Sequence, residues 1–113
     1  MNLSKFLIND KVRNLWIEEP HMRVYVRRSF RNIGSKTFLC LDCASVEVDE
    51  DYRGNGVFSK FLMRFEKEAK KLNRAVFVES IQEPRLRNYL LTIGYKDVPG
   101  TSEFAPNMYK IVA

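Results

Sequence analysis

One stretch of the chain carries apolar residues at helical spacing more clearly than any other. Phe58, Phe61, Leu62, Phe65, Ala69 and Leu72 fall within an arc of about 100° on a helical wheel, the width of a core-facing stripe. Lys60, Arg64, Lys67, Lys70 and Lys71 lie on the other side. The spacing predicts an amphipathic helix that starts at about Phe58 and ends at Asn73. Upstream the period changes. Met22, Val24 and Val26 alternate with Arg23, Tyr25 and Arg27, which predicts a strand with one apolar and one basic face. Asn32-Ile33-Gly34-Ser35 supplies turn chemistry. Thr37 to Val48 is apolar on both faces at its start, as an interior strand would be. The two segments read as a long antiparallel hairpin.

The remaining elements are shorter. Leu3, Phe6 and Leu7 stand at spacings of three and four, with Val12, Leu15 and Ile17 following. They predict an N-terminal helix over 3–18 that Pro20 ends. Ala75-Val76-Phe77-Val78 reads as a buried strand. Pro84 fits the first turn of a helix burying Leu86, Tyr89, Leu90 and Ile93, and Gly94 suits its C-terminal cap. A loop is expected from Lys96-Asp97-Val98-Pro99-Gly100 onward, and Met108 to Val112 reads as a closing strand. The predicted order is helix, strand, strand, helix, strand, helix, strand. A strand-helix-strand unit inside an otherwise antiparallel sheet makes this an α+β fold with a mixed, mainly antiparallel sheet flanked by helices.

Composition narrows the class. The chain has 113 residues, which suits one domain over 1–113. Hydrophobic residues make up 45% and charged residues 29%, an ordinary globular balance. No run approaches the ~20 apolar residues of a membrane span, and Met1-Asn2-Leu3-Ser4-Lys5 lacks the pattern of a secretory signal. A cytoplasmic location is the expectation. The net charge of +5 favours anionic partners such as nucleic acid, acidic protein or coenzyme phosphates. Cys40 and Cys43 form a C-x-x-C pair, but side chains three apart on a strand point to opposite faces. Zinc wants further Cys or His ligands, and His21 is the single histidine. Two reduced thiols are expected, and no metal. The acidic run Asp49-Glu50-Asp51 fits no calcium loop.

The chemistry concentrates in Val46-Glu47-Val48-Asp49-Glu50-Asp51-Tyr52-Arg53-Gly54-Asn55-Gly56-Val57-Phe58. A strand runs into a glycine-containing turn, and the turn runs straight into the long helix. Unpaired backbone N–H groups converge at a helix start, and the partial positive charge there favours a phosphate or pyrophosphate. Gly54 and Gly56 remove the Cβ atoms that would hold a ligand off the backbone. A plain strand-to-helix connection is the competing reading.

This segment resembles the signature of the GCN5-related N-acetyltransferase family, Gln/Arg-x-x-Gly-x-Gly/Ala. Arg53-Gly54-Asn55-Gly56-Val57 follows that pattern, with Phe58 where the second Gly or Ala is usual. Glu50 replaces a frequent Pro. Glu83 to Tyr95 is similar to the family's second motif, a helix ending in Gly-Phe or Gly-Tyr, here Gly94-Tyr95. The resemblance covers roughly residues 22–112, with an N-terminal portion shortened relative to typical members.

The resemblance implies direct transfer of an acetyl group from acetyl-CoA to an amine, with no metal. The N–H groups of Arg53, Gly54, Asn55, Gly56, Val57, Phe58 and Ser59 would hold the pyrophosphate. The strand residues Val46, Glu47 and Val48 would border the pantetheine arm where the strand splays from its neighbour. A proton donor to the thiolate usually stands four residues before the Gly of the second motif. Leu90 occupies that position, so the neighbouring Tyr89 is the candidate; its place on the apolar stripe also fits a core tyrosine. Tyr109 is a further tyrosine to consider. Glu47 is the candidate base, pointing away from Val46 and Val48; it also fits a glutamate salt-bridged to Arg23 or Arg27. Asp42 and Asp49 are alternatives.

Three functions follow from this. The chain is an N-acetyltransferase acting on a protein lysine, a peptide N-terminus or a small amine, or an acetyl-CoA-binding module with little catalysis. The third is a nucleic-acid-associated, tRNA-directed enzyme in which Arg23, Arg27, Arg28, Arg31 and Lys36 bind phosphates. That last set equally fits the solvated charges of an edge strand, and nucleic acid is not the favoured partner. A homodimer is compatible with the sequence.

Overall fold

The computed structural model describes residues 3–8, 13–33, 35–79, 84–100 and 106–112. A short helix α1 (Leu3–Ile8) precedes strands β1 (Asn14–Glu19), β2 (Met22–Ile33) and β3 (Lys36–Val48). A 3-10 turn (Glu50–Tyr52) then leads to helix α2 (Val57–Lys71) and strand β4 (Ala75–Val78). Helix α3 (Pro84–Thr92) and strands β5 (Lys96–Asp97) and β6 (Met108–Lys110) complete the order. The six strands form one sheet in the order β1-β2-β3-β4-β6-β5. Only β3 and β4 pair in parallel; the other neighbours are antiparallel. The mixed α+β architecture expected of the sequence is what the chain adopts, with β3 in the interior.

Two expectations are corrected. Among the described residues the predicted helix over 3–18 is helical at Leu3–Ile8, and Leu15 and Ile17 belong to β1, opposite Val26 and Val24. Pro20 closes a strand rather than a helix, in a turn where His21 adopts a φ of 67°. The predicted loop after Tyr95 begins as a two-residue strand, Lys96–Asp97, held by register with Tyr109 and Met108. Both of its residues are exposed, so no apolar alternation marks it. Val12, Gly34 of the hairpin turn, Glu83 of the second motif and the loop residues 101–105 lie outside the described residues.

Helix α2 buries Phe58, Phe61, Leu62, Phe65 and Ala69 against the sheet, each phenylalanine contributing about 2–3 kcal/mol over exposure. Leu72, the sixth residue of the stripe, is exposed because the helix stops one residue earlier. Asn73 at φ 54° lets Arg74 donate back to the Ala69 carbonyl, 2.9 Å, the crossed bond of a Schellman end. Gly94 ends α3 the same way, with the Tyr95 amide on the Leu90 carbonyl at 2.9 Å. The buried residues of all three helices join one cluster on one sheet face. A second cluster (Ile33, Cys40, Ala75 and Phe77) occupies the other face and includes none of them. Among the described residues, no helix is long and apolar enough to cross a membrane.

Candidate functional site

The site grows from one interruption in the sheet. β3 pairs with β4 from Cys40↔Ala75 to Cys43↔Val78, and the Glu79 amide donates to the Cys43 carbonyl, 3.0 Å. Beyond that rung, among the described residues, β3 continues to Val48 along β2 alone, with Met22↔Val48 and Val24↔Val46. The register with β2 shifts between Tyr25↔Ser45 and Val26↔Cys43, which leaves Ala44 as the extra residue of a bulge. A bulge bends the strand that carries it, and here it stands where β3 leaves β4. Among the described residues no strand pairs with Val46, Glu47 and Val48 on the β4 side, where the Val48 carbonyl accepts from Arg53.

The same strand delivers the glycine loop. Gly54 has φ 83° and Gly56 φ 78°, the left-handed region that favours glycine. Gly56 is the residue that precedes the first turn of α2, and no side chain caps that helix start. The amides of Arg53 and Asn55 are taken, by the carbonyls of Glu50 (3.4 Å) and Tyr52 (3.3 Å). The amides of Gly54, Gly56, Val57, Phe58 and Ser59 have no acceptor among the described residues. Open space surrounds Gly54, and a Cβ on Gly56 would meet only Ser59 Oγ, at 3.4 Å. The ring of Phe58 turns into the core, 9% exposed, so it leaves the loop mouth clear. Arg53, the first residue of the motif, turns back and donates through Nε to the Val48 carbonyl, 3.3 Å. Free amides, a helix start and a bare loop surface are the features that favour an anion such as a diphosphate.

The loop is anchored from the opposite side by the β1–β2 turn. The Asp49 amide donates to the His21 carbonyl, 2.8 Å. The rings of His21 and Tyr52 stack at 3.5 Å with 10° between planes, and His21 Nδ1 lies 3.7 Å from the Asp49 carboxylate.

The candidate proton-transfer groups are spread more widely. Glu47 is exposed on the face away from the helices, 3.7 Å from Arg23 Nε directly across in β2. Its salt-bridged reading and its place on the strand edge hold together. Tyr89 packs half-buried beside Leu86 and Ile93 against the core, and Leu90, at the position usual for the donor, is fully buried. Tyr109 lies on β6 opposite Phe77, on the other face. Asp49 supports the loop through His21.

Asp42 has a different setting. It is 0% exposed, accepts from Ser29 Oγ at 2.8 Å and Arg31 at 2.9 Å, and meets Arg27 Nε at 3.4 Å. Both arginines also pair with Glu79. Sequence reasoning missed Glu79; its one signal is a carboxylate directly after the buried run Ala75–Val78. Such pairings also account for the four arginines of the supposed basic patch, with Lys36 exposed beside the hairpin turn. Arg23 is shared between Glu18 and Glu47 and covers the Trp16 ring at 3.9 Å. Arg27 and Arg31 are neutralised by Asp42 and Glu79. Arg28 is on the helix side, donating to the carbonyls of Phe6 and Leu7 at 2.5 and 3.3 Å. The arginines are structural cations on two faces.

Cys40 and Cys43 sit in separate clusters on opposite faces. Burial first, and the Asp42 charge second, pushes the Cys40 thiol up to about 11. Burial pushes Cys43 upward as well. Neither resembles an activated thiol.

No protein-family model matches the chain, and no curated protein sequence matches it. Solved structures do share its shape. The toxin AtaT complexed with acetyl-methionyl-tRNAfMet superposes with a TM-score of 0.64 and 14% identity, over 96% of this chain and 81% of that one. A mutant AtaT bound to the C-terminus of the antitoxin AtaR and acetyl-CoA gives 0.62 and 11%, over 80% of this chain and 58% of that one. The chain thus spans little more than half of that toxin. Nourseothricin acetyltransferase gives 0.52 and 16%, over 83% and 67%. At such identities the likeness concerns the fold alone: the mixed, mostly antiparallel sheet with its helices is an acyl-CoA N-acyltransferase fold like that of the GCN5-related N-acetyltransferases.

Proposed function

We propose that the chain is an acetyl-CoA-dependent N-acetyltransferase. The observation that carries this reading is the set of free amides at Gly54, Gly56, Val57, Phe58 and Ser59, placed at the end of a strand whose edge has lost its neighbour. The amides bind the coenzyme pyrophosphate, with Arg53 and Asn55 shaping the loop. Val46, Glu47 and Val48 pair through the backbone with the pantetheine amides, which aligns the thioester beside the bulge. Holding both reactants in line is worth several kcal/mol of the barrier on its own.

In the reaction the acceptor nitrogen attacks the thioester carbonyl. A C–N bond forms, the C–S bond breaks, and the thiolate leaves. Glu47 takes the amine proton, directly or through a water, and Tyr89 is the candidate to protonate the thiolate. The products are an acetylated amine and free coenzyme A, in a cytoplasmic setting. The acceptor is a protein lysine, a peptide N-terminus or a small amine. AtaT in complex with acetyl-methionyl-tRNAfMet makes the amine of an aminoacyl-tRNA the first macromolecular acceptor to try. The paired state of Arg23, Arg27 and Arg31 counts against those residues as its phosphate contacts. A module that binds acetyl-CoA without turnover is the alternative, favoured by Leu90 in place of a tyrosine.

Release of coenzyme A thiol, followed with a thiol reagent over a panel of acceptors, tests the reading. Acceptor-dependent release lost in Glu47→Gln supports it. Tight coenzyme binding with no release for any acceptor favours the binding module.

A further inference from the structure

Seven consecutive residues, Asp49 to Asn55, are exposed, and the 3-10 turn among them buries nothing. A segment without buried side chains belongs to the least stable part of a fold. Its internal hydrogen bonds weaken along the chain. The Tyr52 amide donates to the Asp49 carbonyl at 2.8 Å, but the Arg53 amide reaches Glu50 at 3.4 Å and the Asn55 amide reaches Tyr52 at 3.3 Å. These same residues set the direction of Gly54 and of the free amides that follow it. Their support comes from outside the loop.

One residue of the β1–β2 turn supplies that support. His21 has a φ of 67°, in the left-handed region that residues other than glycine seldom occupy. Strain of this kind persists where several contacts fix it, and three contacts of His21 go to the loop. Its carbonyl accepts from the Asp49 amide at 2.8 Å. Its ring lies on Tyr52, 3.5 Å between centroids and 10° between planes. Its Nδ1 faces the Asp49 carboxylate at 3.7 Å. Tyr52 in turn accepts from Asn55, the residue between the two glycines. A chain of contacts thus runs from His21 through Tyr52 to the bend that aims the amides.

Resting on the acetyl-CoA reading, we propose that His21 is a positioning residue for coenzyme binding. Its ring, stacked on Tyr52, holds the loop in the conformation that receives the diphosphate, and it acts through the loop without touching the coenzyme. A loop already in its binding conformation has less freedom to lose when the ligand arrives. Where the competent conformation is only a fraction of the population, apparent affinity falls by that fraction. Loss of the stack therefore weakens coenzyme binding while every amide that contacts the phosphates is still present.

Calorimetric titration of the full chain with acetyl-CoA tests this. His21→Asn and His21→Gly both accept a positive φ, and the Asp49 amide keeps its backbone acceptor in each, so these variants isolate the ring. Both should bind acetyl-CoA about tenfold more weakly, the scale of one aromatic pair. Tyr52→Leu should show the same loss, while Tyr52→Phe, which keeps the stack, should bind as the wild type does. His21→Asn combined with Tyr52→Leu should bind no more weakly than either alone, because the two rings act as one unit. Ligand-free melting temperatures verify that the variants fold. Wild-type affinity in both His21 variants, or losses that add in the double variant, overturn the role of His21 and leave the acetyl-CoA reading standing. A wild-type chain that binds no acetyl-CoA removes both.

Discussion

The amide of Glu79 donates to the carbonyl of Cys43, 3.0 Å away, the last hydrogen bond among the described residues between the two parallel strands at the centre of the sheet. On one side of that bond the sheet is continuous and packed. On the other side β3 runs on without β4, and the free edge leads into a loop with unpaired amides. Structure and proposed chemistry divide at this point, and the predictions follow from which side a residue occupies.

Gly56 is on the loop side. Gly54→Ala and Gly56→Ala should each cost about 1 kcal/mol of stability, because alanine is strained at positive φ. Gly56→Asp should in addition abolish stabilisation by acetyl-CoA, since a carboxylate then faces the phosphates. Thermal melts with and without the coenzyme read both effects.

Asp42 is on the packed side. Asp42→Ala should destabilise the fold by about 1–3 kcal/mol, because Ser29 Oγ and the two part-exposed arginines lose their buried acceptor while Glu79 still pairs with Arg27 and Arg31. Denaturant unfolding measures this; a loss under about 1 kcal/mol would mean the cluster behaves as a solvated surface network.

Glu47 and Tyr89 are assigned roles in proton transfer. Glu47→Gln should lower kcat about a hundredfold or more and leave coenzyme affinity unchanged. Its exposed pair with Arg23 limits the stability effect to about 1 kcal/mol or less. Tyr89→Phe should lower kcat about tenfold or more without moving coenzyme affinity. An unaltered rate in either variant hands that proton to solvent.

The cysteines set an alkaline limit. The Cys40 thiol has its pKa raised from 9.0 to about 11 by burial and the Asp42 charge, and burial also raises that of Cys43. In the unfolded chain both thiols ionise from about pH 9, while the folded chain keeps its protons. The unfolded state then binds fewer protons, so stability falls as pH rises, by up to about 1.4 kcal/mol per pH unit for each thiol. It is fully present below pH 9, and the Cys40 share is lost by about pH 11. Unfolding midpoints across that range should decline in the wild type and decline less steeply in Cys40→Ala, where only the Cys43 thiol of the pair remains.

How much the sequence disclosed depended on the range over which each signal acts. α2 was legible because its apolar stripe, Phe58 to Leu72, repeats over about four turns, and the loop because its glycines precede that helix. β1 was not, since only Ile17 of its residues is fully buried and the helical spacing at Leu3, Phe6 and Leu7 ran into it. β5 is two exposed residues held by register alone. The Asp42 cluster needed cross-strand geometry: a carboxylate between Leu41 and Cys43 in an apolar run was the visible hint, but Arg27, Arg31 and Glu79 reach it only once the sheet has formed. For the same reason the arginines of β2 read as a basic face, although their charges are already paired.

The central claim is that the amides at the start of α2 bind a coenzyme diphosphate. Calorimetric titration of the full chain with acetyl-CoA measures this most directly. Saturable one-to-one binding and a raised melting temperature are expected, about 2.7 kcal/mol of added stability at a hundredfold excess over Kd, with both effects absent in Gly56→Asp. A folded chain that gives no binding heat and no thermal shift with acetyl-CoA, or a Gly56→Asp variant that binds as well as the wild type, would contradict it.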